Sequence, residues 1–210
     1  MKKFNLIKFF KIKEIKKKIK KKEITQIISI INAENNSSII SSLSSDKKYL
    51  FLRKIVLSKK INLFVLKHSE NIIGYAIVSR KFKYMQQEFN SLILSFLLDL
   101  IINLKINTIL NATLSLLKID KFFMPRYKKQ IFYEATNLNM LAIHTNYQSK
   151  GLGYKFLNSI IKKIKKNSKT ITCETDNKRS TNFYIKKLKF RQFGILIRFP
   201  KFMSILIKKT

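Results

Sequence analysis

Acidic residues, glycine, proline, cysteine and tryptophan are all scarce in this 210-residue chain. A lone cysteine, Cys173, excludes an internal disulfide, and two histidines far apart in sequence give no metal-ligand spacing. That usage fits a reducing cytoplasm. With four glycines and two prolines there is no flexible linker, and no internal repeat divides the chain. One domain is therefore expected, with 46% hydrophobic residues to fill a single core. Long apolar runs are missing too. An uncharged, largely apolar run in mid-chain, Phe89 to Leu98, stops at Asp99, well short of the about 20 residues a membrane span needs. Lysines break every apolar stretch near the N-terminus, so no signal-peptide core is expected there.

Positive charge is abundant. Forty-four Lys and Arg against 11 Asp and Glu leave a net charge of +33, a field that attracts polyanions and favours nonspecific contact with nucleic acid or an anionic membrane surface. The plainer reading is lysine carried on solvated faces, because Asn, Ile, Lys and Phe are all heavily used, as an AT-rich genome would dictate. Residues 1–22 concentrate the charge, with eleven lysines and one glutamate among Phe4, Leu6, Ile7, Phe9, Phe10, Ile12, Ile15 and Ile19. This basic segment reads either as a first strand running into a basic helix or as a surface anchor, and the main domain is expected over 23–210.

Chemistry enters at Leu138 to Gly153. An apolar strand through Leu141, Ala142 and Ile143 feeds a polar turn, Gln148-Ser149-Lys150-Gly151-Leu152-Gly153, which opens a helix. Successive amides in such a turn form a concave nest of donors, the glycines let the backbone approach an anion, and the helix N-terminus adds positive potential. Lys150 adds a point charge. The helix is amphipathic, with Leu152, Phe156, Leu157, Ile160, Ile161 and Ile164 at spacings of three and four. No third glycine at Phe156 supports a dinucleotide fold, and no Gly-Lys-Ser/Thr supports a P-loop.

A second constellation follows about thirty residues on. Ile171 to Asp176 reads as a strand, Asn177 to Lys187 as a helix carrying Phe183 and Tyr184, and Leu188-Lys189-Phe190 closes it. Together, Gln148-x-x-Gly151-x-Gly153 after a strand ending Leu-Ala-Ile, and an Asn seven residues before a Tyr, resemble the acetyl-CoA loop and closing motif of the GNAT superfamily of N-acetyltransferases. Earlier, Ile61 to Lys67 and Ile72 to Val78 flank the polar turn His68-Ser69-Glu70-Asn71 and resemble the family's central hairpin. The resemblance spans roughly residues 24–199. It departs from the pattern at Lys189, where the family carries glycine, and at Ser180, where it usually carries alanine.

The resemblance implies an α/β fold with a mixed, strongly curved sheet and helices on both faces. It also implies transfer of the acetyl group of acetyl-CoA to a primary amine, with no metal. Leu141, Ala142, Ile143, Gln148, Ser149, Lys150, Gly151, Leu152 and Gly153 would hold the cofactor's thioester and pyrophosphate, and Asn177 its pantetheine arm. Tyr184 would be the general acid, protonated at neutral pH with a normal pKa near ~10. A direct attack by the amine needs no protein nucleophile, so Cys173 is expected as a buried strand residue. For the general base Glu174 comes first, because alternation places it and Thr172 on one strand face, and Glu134 or a water chain stands beside it. His144 is expected to position, not to react.

Between the third strand and the acetyl-CoA strand lies an insert, about 88–118, in which two helical stripes are expected: Leu92, Ile93, Phe96, Leu97, Leu100, Ile101 and Leu104, then Ile106, Leu110, Leu114 and Leu117. It would pack on the sheet, wall an acceptor site suited to a bulky or partly hydrophobic amine, form a dimer face, or lie in a membrane interface. Cytoplasmic location, with or without peripheral attachment at the inner membrane surface, follows. The competing reading is a catalytically degenerate fold of this family acting as a basic nucleic-acid or membrane-surface binding module, through phosphate contacts and aromatic stacking. The acceptor's identity is not legible in the sequence, because fold does not choose among acceptors.

Overall fold

Strand and helix periodicities alternate along the chain in the computed structural model, which describes residues 10–33, 39–117, 119–121, 124–165, 168–198 and 201–210. Seven strands form one sheet: β1 (Phe10–Ile15), β2 (Ile61–His68), β3 (Asn71–Ser79), β4 (Thr136–Ile143), β5 (Thr170–Thr175), β6 (Arg191–Arg198) and β7 (Lys201–Lys209), in the order β1-β2-β3-β4-β5-β7-β6. Every pairing is antiparallel except β4 with β5. Residues 10–15 of the basic N-terminal segment are thus the sheet's edge strand, the first of the two readings of that segment. Residues 1–9 lie outside the described residues.

Alternation on the strands divides the core in two. Leu63, Val65, Tyr75, Ile77 and Ala142 face one side, where α1 (Lys21–Ala33) sets Ile24, Ile27, Ile28, Ile30 and Ile31 at helical spacing and α3 (Ser45–Leu57) adds Phe51, Leu52 and Ile55. Phe64, Ala76, Val78, Ile143, Ile171 and Cys173 face the other, against α8 (Leu152–Ile164) and its Leu152, Phe156, Leu157, Ile160 and Ile161. Phe156 is fully buried, and its truncation to alanine would cost about 3–5 kcal/mol.

The two apolar stripes of the insert, about 88–118, form α5 (Ile93–Ile102) and α6 (Ile106–Leu116), and among the described residues α4 (Phe82–Asn90) and α7 (Arg126–Glu134) flank them between β3 and β4. The short helix α2 (Ile39–Ser42) lies beside α6. Of the side chains of α4 and α7 only Phe132 of α7 is buried, so neither helix contributes a stripe to the core.

One local irregularity shapes the site. Val78 pairs with Leu138 but Ile77 pairs with Met140, so Asn139 is an extra residue that bulges β4. Beyond the bulge β4 parts from β5, whose pairing with it covers only Thr136, Asn137 and Leu138. Gly74 lets the diverging β4 stay close to β3, because a Cβ there would stand 2.5 Å from Cδ1 of Ile143 and 3.0 Å from the Ala142 carbonyl.

Candidate active site

Where β4 leaves β5, backbone donors lose their partners on one side. The His144 amide donates to the Ile73 carbonyl at 2.8 Å, and the antiparallel register places residue 144 opposite 73 and 142 opposite 75. Bonding alternates along such a pair, so the amides of His144 and Ala142 face β3 while those of Ile143 and Leu141 face the gap. Of the strand residues read as cofactor-binding, Leu141 and Ile143 therefore supply the donors, and Ala142 directs its amide to β3. Nε2 of Gln148 donates to the Ile143 carbonyl at 2.8 Å, tying the polar turn to the end of the splayed strand.

The turn has the shape its residues demand. Ser149 sits at φ 61 and Gly151 at φ 74, two left-handed positions separated by Lys150, with Gly151 capping the N-terminus of α8. No atom lies within 4 Å of a Cβ built on Gly151, so the backbone is open to an approaching group. Gly153 is different: it is helical, and a Cβ there would meet Phe183 and Ile143 at the ordinary distances of 3.8 and 3.9 Å. Nζ of Lys150 donates to the Asn146 carbonyl at 3.0 Å and stands 5.5 Å from the centre of the Tyr147 ring. Leu152 is buried beneath the turn.

The two sequence motifs, thirty residues apart, meet through a residue that motif reading missed. Arg179 on α9 (Lys178–Asn182) donates to Oγ of Ser149 at 3.0 Å. Asn177 caps that helix, its Oδ1 accepting from the Arg179 amide at 2.8 Å and the Ser180 amide at 3.4 Å, while the residue also lines the adjoining cavity. The helix expected over 177–187 is thus α9 followed by a π-helical turn over Phe183–Lys187. Lys189 adopts the left-handed conformation at φ 61, at a cost of about 1–2 kcal/mol for a non-glycine residue. Offsetting bonds close the turn: the Phe190 amide donates to the Tyr184 carbonyl at 3.1 Å, and Nζ of Lys208 donates to the Leu188 carbonyl at 2.6 Å.

A cavity of about 320 Å³ opens on the other side of the splay. Glu174, Thr175, Asp176, Asn177 and Tyr184 line it from the β5 side, Leu138 to Leu141 from β4, and Tyr75 from β3. The segment between β3 and β4 adds Phe82, Met85, Gln86 and Phe89 of α4, with Asn111, Ala112 and Ser115 of α6, and Ile39, Ile40 and Met203 also line it. The stripe over 92–104, read as packing on the sheet or as an acceptor wall among other uses, buries Phe96 and Leu100 in the core and lines no part of the cavity. Motif reading could not find the α4 wall, because Phe82, Met85 and Phe89 gain meaning only once α4 folds across the end of the sheet.

Tyr184 is buried against Phe183 and Phe190, with ring centres 5.4 Å away in each case. Burial, then the neighbouring Cys173, pushes its phenol well above the usual range near 10. It therefore holds its proton throughout the neutral and mildly alkaline range. Cys173 faces α8, and burial followed by the charge of Glu174 raises its thiol well above 9, which removes the thiolate an acyl carrier would need. Glu174 lies on the cavity wall, and its charge also contributes to raising the Tyr133 phenol, after burial and Asp120. Its strand neighbour Thr172 is buried and accepts from Nδ2 of Asn137 at 3.0 Å.

Glu134 is placed elsewhere. It ends α7 at the surface, ion-paired with Lys81 and, at 3.0 Å, with Lys83, and it does not line the cavity. Hydrogen bonds from Lys81 and Lys83 lower its pKa, the opposite of what a base poised near neutrality requires. His144 accepts from the Asn146 amide at 3.3 Å through Nδ1 and lies beside Tyr147, consistent with a positioning part in the turn.

Strand splay, a donor-rich turn at a helix N-terminus and a buried phenol stand at one end of the sheet. The chain belongs to the Acetyltransferase (GNAT) family, whose profile matches residues 30–190. Solved structures share the fold. Mosquito arylalkylamine N-acetyltransferase like 5b is 13% identical with a TM-score of 0.58, over 96% of this chain and 100% of that one. The ribosomal-protein-S18-alanine N-acetyltransferase from Escherichia coli is 12% identical with a TM-score of 0.57, over 95% and 93%. A chain of the NatC complex bound to Gag peptide and CoA is 13% identical with a TM-score of 0.54, over 95% and 99%. No curated protein sequence matches the chain.

Proposed function

We propose that this protein transfers the acetyl group of acetyl-CoA to the primary amine of an acceptor with a bulky, partly hydrophobic body. The observation that carries the reading is the register of β4, which turns the amides of Leu141 and Ile143 away from β3 where β4 parts from β5. Acetyl-CoA supplies an activated acetyl group on a thioester. The amides of the turn, the α8 N-terminus, Lys150 and Arg179 would hold its pyrophosphate. Asn177, on the cavity wall, would hold its pantetheine arm.

The residues then divide the chemistry. Leu141 and Ile143 amides are placed to polarise a carbonyl in the gap, a contribution worth on the order of 10²–10³ in rate when one such donor is lost. Glu174, on the acceptor side, is the group we assign to take the proton of the incoming ammonium. Tyr184 returns a proton to the departing sulfur, and its raised pKa keeps that proton available. Tyr75, Phe82, Met85, Phe89 and Met140 give the acceptor's body an apolar wall, while Glu174 and Asp176 favour its cationic end. The reading as a catalytically degenerate binding module has no support from the family or from these structures.

Calorimetry of acetyl-CoA at low and high salt, with desulfo-CoA and adenosine bisphosphate for comparison, tests the first half. Binding that needs the pantetheine arm and largely survives salt is expected. Weak binding that vanishes with salt would sink the assignment. A panel of arylalkyl, aliphatic and small polar amines, followed by thiol release, then tests the acceptor class.

A further inference from the structure

The cavity and the core use only one side of the α5–α6 hairpin, and among the described residues nothing covers the other side. Along α5, Leu94, Leu98 and Ile102 recur every four residues at 71%, 53% and 79% exposure, opposite the fully buried Phe96 and Leu100. α6 continues the face with Ile106 and Leu110. The turn between them carries Leu104, 80% exposed and held at φ 51. Glycine or asparagine normally takes such a left-handed position, so a leucine there accepts backbone strain to present an aliphatic side chain to the outside. Between Ser91 and Leu117 only Asp99 and Lys105 are charged, and Asp99 turns inward to accept from the Ser44 amide at 2.8 Å. Each side chain this exposed leaves on the order of 100 Å² open, so the face reaches or exceeds the few hundred Å² that a soluble monomer usually shows.

We infer that the α5–α6 hairpin seats this protein on an anionic lipid bilayer, with Ile102, Leu104 and Ile106 at its tip entering the boundary between headgroups and acyl chains. Charge selects this occupant. A surface that is negative in its plane and apolar beneath matches an aliphatic tip on a chain of net charge +33. Lys105 stands within the tip, and Lys47 and Lys54 of α3 reach Ser95 and Ser91 near the hairpin's base. A second copy would bring an equal positive charge against the first, and a nucleic-acid backbone offers an aliphatic tip nothing apolar. At ten and eleven residues the helices are too short to span, so the contact is interfacial. This docking does not depend on the acetyl-transfer reading.

Sedimentation of the full chain with phosphatidylcholine vesicles, with and without phosphatidylglycerol, tests it, comparing wild type with the triple variant Ile102→Ser, Leu104→Ser, Ile106→Ser. Wild type is expected to partition onto anionic vesicles and to keep part of that binding in high salt, whereas the triple variant loses roughly 100-fold. Circular dichroism checks that the variant is folded. Should it unfold, Leu104→Ser alone, expected to lose about tenfold, replaces it. Equal partition of wild type and a folded variant would overturn the inference, since charge alone would then explain binding. So would a wild type that ignores anionic vesicles, or one that elutes as a dimer which the variant dissolves.

Discussion

The two ends of the cleft are opposite in chemistry although one strand divergence creates both. At the turn end, Gly151, Lys150, Arg179 and the α8 N-terminus gather positive potential around open backbone amides. At the cavity end, Glu174 and Asp176 line a chamber walled by aromatic and methionine side chains. Two of only 11 carboxylates in a chain with 44 basic residues stand there. The positive field of the whole surface would repel an amine, so these local carboxylates matter more than they would on a neutral protein. The contrast teaches that net charge describes what the surface attracts, while the site's own groups decide what can react.

Breaking the link between the two ends should have the largest effect. Tyr184→Phe removes the proton donor while keeping the aromatic packing against Phe183 and Phe190, and turnover should fall by roughly 10²–10⁴ with acetyl-CoA affinity nearly kept. Pre-steady-state thiol release checks it, and full activity would refute the role. The same phenol sets a pH window. Because burial raises its folded pKa above the unfolded value near 10, the stability it contributes is complete below about pH 10 and lost as pH rises through the higher folded value. Tyrosinate absorbance should show a late-ionising phenol that Tyr184→Phe removes, and no alkaline loss of turnover below about pH 10 should trace to it.

Glu174→Gln attacks the acceptor end alone. The expected loss is about 10- to 100-fold in kcat/KM for amines at neutral pH, recovering as pH rises and the free amine forms without a base. A pH-independent loss would assign Glu174 to structure. At the turn end, Gly151→Val puts a β-branched side chain at φ 74, and the left-handed penalty of about 1–2 kcal/mol should weaken acetyl-CoA roughly tenfold or more in calorimetry while sparing the acceptor preference. Unchanged affinity would remove the turn from the cofactor site.

Legibility in the sequence follows the same divide. The turn end was readable because its chemistry is local: strand, donors, glycine and helix follow one another from Leu138 to Ile164, and the observed β4, turn and α8 occupy that stretch. Asn177 and Tyr184 stood out because their spacing matches the family's closing motif, and Lys189, where the family carries glycine, is left-handed. The cavity was not readable, since its walls come from α4, α6 and β3, tens of residues apart in sequence, and only the fold brings them to one place. Arg179 carried no signal of its own; its bond to Ser149 exists only because the sheet brings α9 beside the turn. Glu134 misled because nearness in sequence to β4 is not nearness to the gap, and α7 carries it outward to Lys81 and Lys83.

The smallest expected effect falls on the wall that sequence could not see. Met85 lines the cavity from α4 and is only partly buried, so Met85→Ala removes bulk from the chamber without excavating the main core. A flexible thioether adapts to several acceptor shapes, and its loss should favour larger amines over smaller ones by about three- to tenfold in kcat/KM. Acetyl-CoA affinity should not move, because Met85 stands apart from the turn at 148–153. The ratio of kcat/KM for a bulky and a small amine reads the effect directly. A fall for both amines alike would mean that α4 supports the fold rather than the acceptor. A shift in cofactor affinity would mean that the two ends of the cleft are not separable.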